Sequence, residues 1–119
     1  VRALAAAIAA IGAPGVLANP SGAQVMQGSA TLRQDGNRLT VTTSNGAIIH
    51  WDRFSIGAGD TTRFVQPDAA SQVLNRVVGT SPSEILGRLE SNGRVFLINP
   101  NGVAFGRGAQ VDVGALVVS

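Results

Sequence analysis

The chain is predicted to be all-β, from three observations. Short Val-, Ile-, Thr- and Phe-rich runs recur along most of its length, glycine- and asparagine-bearing turns separate them, and charge is scarce. Hydrophobic residues make up 45% of the 119 positions and charged residues 13%, with fifteen glycines. A helical bundle of this size would need a more charged surface. A disordered chain would be poorer in aliphatic residues and richer in charge. The length suits one domain with a modest core.

The first segment reads differently from the rest. Arg2 precedes the apolar run Ala3-Leu-Ala-Ala-Ala-Ile-Ala-Ala-Ile11, which is broken by Gly12, Pro14 and Gly15, and Val16-Leu17-Ala18 follows. A positive charge, a short apolar core and an A-x-A-like end are the marks of a secretory signal. The run is too short to span a bilayer. Residues 1–18 are therefore expected to be a signal peptide cut between Ala18 and Asn19 by signal peptidase after delivery to the Sec machinery, with 19–119 as the domain. The competing reading is an Ala-rich helix packed on the domain.

From there the expected elements follow in order. Ala30–Gln34 and Arg38–Thr43 flank Asp35-Gly36-Asn37, a tight-turn signal, and are predicted to form an antiparallel hairpin. Ser44-Asn45-Gly46 turns into a strand at Ala47–Trp51, continued by Arg53–Ile56 and ended by Gly57-Ala-Gly-Asp60. Strands are expected at Thr62–Gln66, Gln72–Val78, Arg94–Ile98, Val103–Phe105 and Gln110–Val113, and Val111–Ser119 is strand-like to its last residue. Ser81–Leu89 is the one helical candidate, because Ser81, Pro82 and Glu84 have capping-box spacing. Such strand lengths suit a solenoid whose rungs bury one continuous core or, equally, a β-sandwich.

Asn99-Pro100-Asn101-Gly102 is the most specific local signal. Asn99 can start a turn by accepting a backbone N–H two residues on. Pro100 presets φ at the second position, Asn101 tolerates the third, and Gly102 supplies the positive φ that follows. With its apolar flanks, the stretch reads as strand, tight turn, strand. Asn75 and Asn99 both lie against apolar strands, where an inward amide must satisfy its donors and acceptors and can do so by bonding the backbone at a bend.

Residues 91–119, SNGRVFLINPNGVAFGRGAQVDVGALVVS, resemble the stretch around this tetrapeptide in two-partner secretion domains. Those domains form the N-terminal part of filamentous-haemagglutinin-like exoproteins of Gram-negative bacteria. The likeness continues through Ile48-Ile-His-Trp-Asp-Arg-Phe-Ser-Ile-Gly57, Phe64-Val-Gln-Pro67 and Val73-Leu-Asn-Arg-Val77, in the family's order, and covers roughly residue 20 onward. The resemblance implies a right-handed parallel β-helix with an extra antiparallel hairpin near its start, and a domain that runs further than this chain. It implies a targeting function: recognition by periplasmic modules of a cognate outer-membrane β-barrel transporter, passage through the periplasm, and β-helix formation at the cell surface. In the family, Asn-Pro-Asn-Gly is required for secretion. On that basis Asn99, Pro100, Asn101 and Gly102 are the expected secretion motif, and Asn75 and Arg76 serve transporter recognition or structure. A module binding host glycans, as the haemagglutination name suggests, and a β-helical polysaccharide-acting enzyme are the alternatives.

Catalytic, metal-binding and cofactor-binding residues are not expected. His50 is the sole histidine, next to Trp51 in an apolar strand, and with Asp52 it would supply two ligands at most. Cysteine is absent, which removes thiolate chemistry and suits passage through an oxidising periplasm. Asp35, Asp60 and Asp68 sit in turns and Glu84 at the helical candidate's start, so no acid pair stands out. The nine basic residues are all arginine, spread over positions 2, 33, 38, 53, 63, 76, 88, 94 and 107 with no run or stripe, so nucleic acid is not an expected partner. Trp51, Phe54, Phe64, Phe96 and Phe105 are expected to fill the core.

Overall fold

A computed structural model describes residues 19–119; the expected signal peptide, including Ala18, lies outside the described residues. The described chain consists of strands and turns. β1 (Gln24–Gln27) leads into a hairpin of β2 (Ala30–Asp35) and β3 (Arg38–Thr43). Three-sided coils follow: β4 (Ala47–Trp51) completes the first with β3; β5 (Thr61–Val65), β6 (Gln72–Val77) and β7 (Ser83–Ile85) form the second. The third is β8 (Arg88–Ser91), β9 (Arg94–Ile98) and β10 (Val103–Phe105), and β11 (Gln110–Asp112) and β12 (Ala115–Val118) begin the fourth. Each strand pairs in parallel with the strand one coil later: β3 with β5, β5 with β8, β8 with β11, and β4 with β6, β9 and β12 in turn. The molecule is a parallel β-solenoid, which resolves the choice against a sandwich.

Stacking in register turns the alternation within each strand into columns through the interior. Leu39 lies beneath Thr62, Leu89 and Val111, and Ala47 beneath Val73, Val95 and Leu116. Trp51 packs edge-on against Phe54 with centroids 5.6 Å apart, and Phe54 stacks on Phe64 at 6.3 Å. All three rings are buried. Phe96 and Phe105 depart from the expectation of core filling: Phe96 points outward from β9, and Phe105 points inward but remains 43% exposed on the last described coil.

Two antiparallel strands close the N-terminal end. β2 covers β3 and β1 covers β4, so the first parallel edges are paired. β1, which the sequence pattern did not reveal, has all four residues exposed and carries a bulge between Val25 and Gln27, a device that blunts an edge strand.

The helical candidate at 81–89 is instead β7, a bend and the start of β8. Ser83, Ile85, Gly87 and Leu89 are buried while Glu84, Leu86 and Arg88 are exposed, which is a period of two. The capping groups are used across coils: the Glu84 N–H donates to Ser55 Oγ at 3.0 Å, and the Ser81 carbonyl accepts from Asn99. Arg53–Ile56 contributes only isolated bridges, Arg53 with Ser21 and Ile56 with Ile85, rather than a strand.

Candidate functional site

The expected secretion motif forms the corner between β9 and β10. These strands belong to different sheets and do not pair, so the turn redirects the coil instead of closing a hairpin. Its local chemistry is the one anticipated. The Asn101 N–H donates to Asn99 Oδ1 at 2.9 Å, the Gly102 N–H donates to the Asn99 carbonyl at 3.0 Å, and Gly102 has φ +106°.

The corner also holds the coil before it. Asn99 is 3% exposed, and its amide nitrogen donates to the Ser81 carbonyl at 3.1 Å and to Ser83 Oγ at 2.9 Å. Asn101 is exposed, yet its amide nitrogen donates to the Gly79 carbonyl at 2.9 Å and to Asn99 Oδ1 at 3.0 Å. The Gly102 carbonyl accepts from the Ser83 N–H at 2.9 Å. Gly79 lies so close to the first coil that a Cβ there would collide with the Asp52 carbonyl oxygen. Three corners therefore stack, each anchored to the one before.

Asn75 forms a second polar node, apart from the corner. It lies in β6 between Ile49 and Leu97 in an otherwise apolar column. Its Oδ1 accepts from Trp51 Nε1 at 2.8 Å and its Nδ2 donates to the Phe96 carbonyl at 3.2 Å. That carbonyl is mid-strand, so this asparagine clamps flat stretches of three coils instead of satisfying a bend. Arg76 points outward and is exposed, aligned with His50 on one side and Ile98 on the other. Asn19 sits at the solenoid's closed end, its Oδ1 accepting from Thr62 Oγ1 at 2.8 Å.

Sequence reasoning missed Gln66 and Asn92. Gln66 is buried, its Nε2 donating to Ser91 Oγ at 2.9 Å and to the Arg94 carbonyl at 3.0 Å. Asn92 embraces the Gln66 backbone, accepting from its N–H at 2.8 Å and donating to its carbonyl at 2.7 Å. Gln66 stands two residues after Phe64 at an inward position of the alternation, the one sequence signal that could have found it. Side-chain amides thus bond the backbone where β5, β8 and β9 end. Among the described residues no cluster of three or more His, Asp or Glu could hold a metal ion. What this arrangement does chemically is hold coils in register.

The comparisons with known proteins agree with that architecture. The family model described as TPS secretion domain matches residues 16–119. A heme/hemopexin-binding protein of Haemophilus influenzae is 41% identical over 98 residues, covering 82% of this chain and 11% of that protein. A second Haemophilus influenzae heme/hemopexin-binding protein is 36% identical over 94 residues, covering 77% of this chain and 10% of its own length. The chain thus spans about a tenth of the length of the curated relatives it matches. The crystal structure of the HMW1 secretion domain from Haemophilus influenzae superposes with a TM-score of 0.83 at 38% identity, covering 84% of this chain and 27% of that one. With the family model matched over nearly the whole sequence and the solenoid shared with a solved member, the chain belongs to the TPS secretion domains, and its role is in secretion and targeting of an exoprotein.

Proposed function

We propose that this domain is engaged by a cognate outer-membrane transporter while still extended, and that Asn-Pro-Asn-Gly serves secretion by building the corner that lets coils stack once the chain emerges. The observation that carries this reading is the use of the motif's amides. Asn99 is buried with both amide functions bonded internally, and the Asn101 side chain donates to the preceding coil. The folded domain withholds the Asn99 amide from a partner and commits the amide nitrogen of the exposed Asn101 to the preceding coil. In an extended chain they are free, and they become internal as each coil closes on the last.

The same logic supports a nucleating role. The closed N-terminal end and the paired coils form a template, because β1 and β2 cover the first parallel edges and each later strand stacks in register on the one before. Surface display after periplasmic transit, with the leader at 1–18 removed before Asn19, completes the sequence of events. The haem and hemopexin binding in the relatives' names is a property of much longer proteins, and the export step is what we assign to this chain.

The test is secretion of the complete exoprotein with its transporter. Asn99→Ala with Asn101→Ala should retain the protein in the cell envelope, and normal secretion would overturn the motif's role. Ser83→Val removes one acceptor of the Asn99 amide without touching the motif. It should impair secretion in the same direction if the motif acts through the corner. Undiminished secretion of Ser83→Val beside a blocked asparagine pair would mean that the transporter reads the motif directly.

A further inference from the structure

Three Asn-Gly pairs stand at corners of the solenoid: Asn45-Gly46 before β4, Asn92-Gly93 before β9 and Asn101-Gly102 before β10. An asparagine followed by glycine is open to attack by its own backbone. The glycine nitrogen bonds to Asn Cγ, the bond from Cγ to the side-chain nitrogen breaks, and that nitrogen leaves as ammonia with the proton of the glycine N–H. Water then opens the cyclic imide at either carbonyl, giving aspartate or its isomer with the backbone routed through the side chain. Glycine permits the attack because it has no Cβ to crowd it and its backbone is free to reach the required angle. All three asparagines are exposed, so water reaches them.

In the assembled coils the reacting groups are held. The Gly46 N–H donates to the Gln72 carbonyl at 2.8 Å, and Asn45 Oδ1 accepts from the Gln72 N–H at 3.1 Å. The Gly93 N–H donates to Ser91 Oγ at 3.1 Å, and Asn92 is bonded through both amide atoms to the Gln66 backbone. The Gly102 N–H donates to the Asn99 carbonyl at 3.0 Å, and the Asn101 amide nitrogen donates to the Gly79 carbonyl at 2.9 Å. Each nucleophile thus points its N–H at another acceptor, and all three asparagines are tied to backbone of the second coil, at Gln72, Gln66 and Gly79. Asn99 stands apart: the nitrogen that follows it belongs to Pro100 and carries no N–H, so it cannot attack even in an extended chain.

We propose that these Asn-Gly pairs are sites of spontaneous deamidation that limit how long the domain can stay unstacked. Assembled coils hold them inert, whereas the extended chain converts Asn92 and Asn101 and loses the corners they build. The relevance to export rests on the extended state proposed above; the chemistry does not. The sites differ in consequence. An acid at 92 sets a carboxylate oxygen where Nδ2 donates to the Gln66 carbonyl at 2.7 Å, and an acid at 101 does the same against the Gly79 carbonyl, so acceptor faces acceptor. Asn45 bonds the second coil through Oδ1, a role that a carboxylate keeps. The isomer adds a carbon to the backbone and shifts the register at any of the three.

The experiment incubates the full chain at mildly alkaline pH, folded in one arm and in concentrated guanidinium chloride in the other. Conversion at residues 45, 92 and 101 is followed by peptide mass spectrometry. The unfolded arm should convert all three, and the folded arm should do so at least about tenfold more slowly, since a corner must open locally before its glycine can attack. On dilution from denaturant, the native circular dichroism regained should track the fraction still unmodified at 92 and 101. A chain held unfolded at mildly acid pH, where the glycine nitrogen keeps its proton, should refold fully. Asn92→Asp and Asn101→Asp should each lower the denaturation midpoint, and Asn45→Asp should leave it unchanged. Equal rates in the two arms, full refolding after conversion, the same loss of refolding at acid pH, or equal shifts for the three variants would overturn the proposal. Secretion of Asn99→Ala with Asn101→Ala tests the corner's role in export separately, because its outcome leaves these rates unmoved.

Discussion

The indole N–H of Trp51 donates to Asn75 Oδ1 at 2.8 Å across the gap between two coils, and both side chains are fully buried. Because Asn75 also donates to the Phe96 carbonyl, one amide joins three successive coils. A buried polar pair stabilises through its match, and removing one member leaves the other's desolvation uncompensated. Asn75→Leu strands the indole N–H, and the expected loss is about 2–3 kcal/mol in urea unfolding followed by far-ultraviolet circular dichroism. Trp51→Phe in the Asn75→Leu background should recover part of that loss. A strictly additive double-mutant cycle would show that the two residues do not interact energetically.

Asn99 and Asn101 occupy the same tetrapeptide but should differ in weight. Asn99 is buried with four side-chain hydrogen bonds, to Ser81, Ser83, the Asn101 backbone and the Asn101 amide. Asn101 is exposed and water can replace what it loses. Asn99→Ala is expected to cost about 2–4 kcal/mol and Asn101→Ala about 1 kcal/mol or less, as read from chemical denaturation midpoints. Equal effects would mean that the turn, rather than the link to the earlier coil, carries the energy.

Gly87 is required by close approach. A methyl group there would collide with the carbonyl oxygens of Gly57 and Asp60 on the coil before it, and its own N–H donates to the Ile56 carbonyl at 3.2 Å. Backbone on both sides leaves nothing flexible to yield, so Gly87→Ala should destabilise by about 3 kcal/mol or more. Gly108→Ala is the control: a Cβ there meets nothing within 4 Å, and its thermal midpoint should hardly move.

Burial raises the Asp60 carboxyl above its ordinary pKa of 3.8. The folded state then holds the proton to higher pH than the unfolded chain does. Stability from this group is present below the ordinary value and declines as pH rises through the raised one. Asp60→Asn removes that decline. Wild type and variant should converge in thermal midpoint at acid pH, with the variant the more stable at neutral pH. A wild-type advantage that grows with pH would reverse the sign and contradict the burial cause.

Strand existence was legible where the apolar period is two and glycine or asparagine ends the run, as in 38–43, 47–51 and 94–98. The Asn99-to-Gly102 turn was legible down to the hydrogen bond between Asn99 Oδ1 and the Asn101 N–H, because every atom involved lies within four residues. Residues 81–89 departed from expectation because capping-box spacing is a local cue, whereas Ser55, Ile56 and Asn99 claim the same backbone from other coils. Phe105 kept its inward direction but not its burial, which depends on what stacks above it.

The all-β class, the turn chemistry and the inward placing of Asn75 and Asn99 could be read from the residues alone, since all of these rest on short-range backbone preference and on alternation. Family likeness was needed to choose solenoid over sandwich. Three features emerge only when the coils are assembled: which strands stack, the joining of Trp51 to the Phe96 carbonyl by Asn75, and the tying of Asn45, Asn92 and Asn101 to the second coil. The physical reason is that a solenoid makes its contacts between residues one coil apart, and coil length is set by corners whose geometry depends on the coils already laid beneath them.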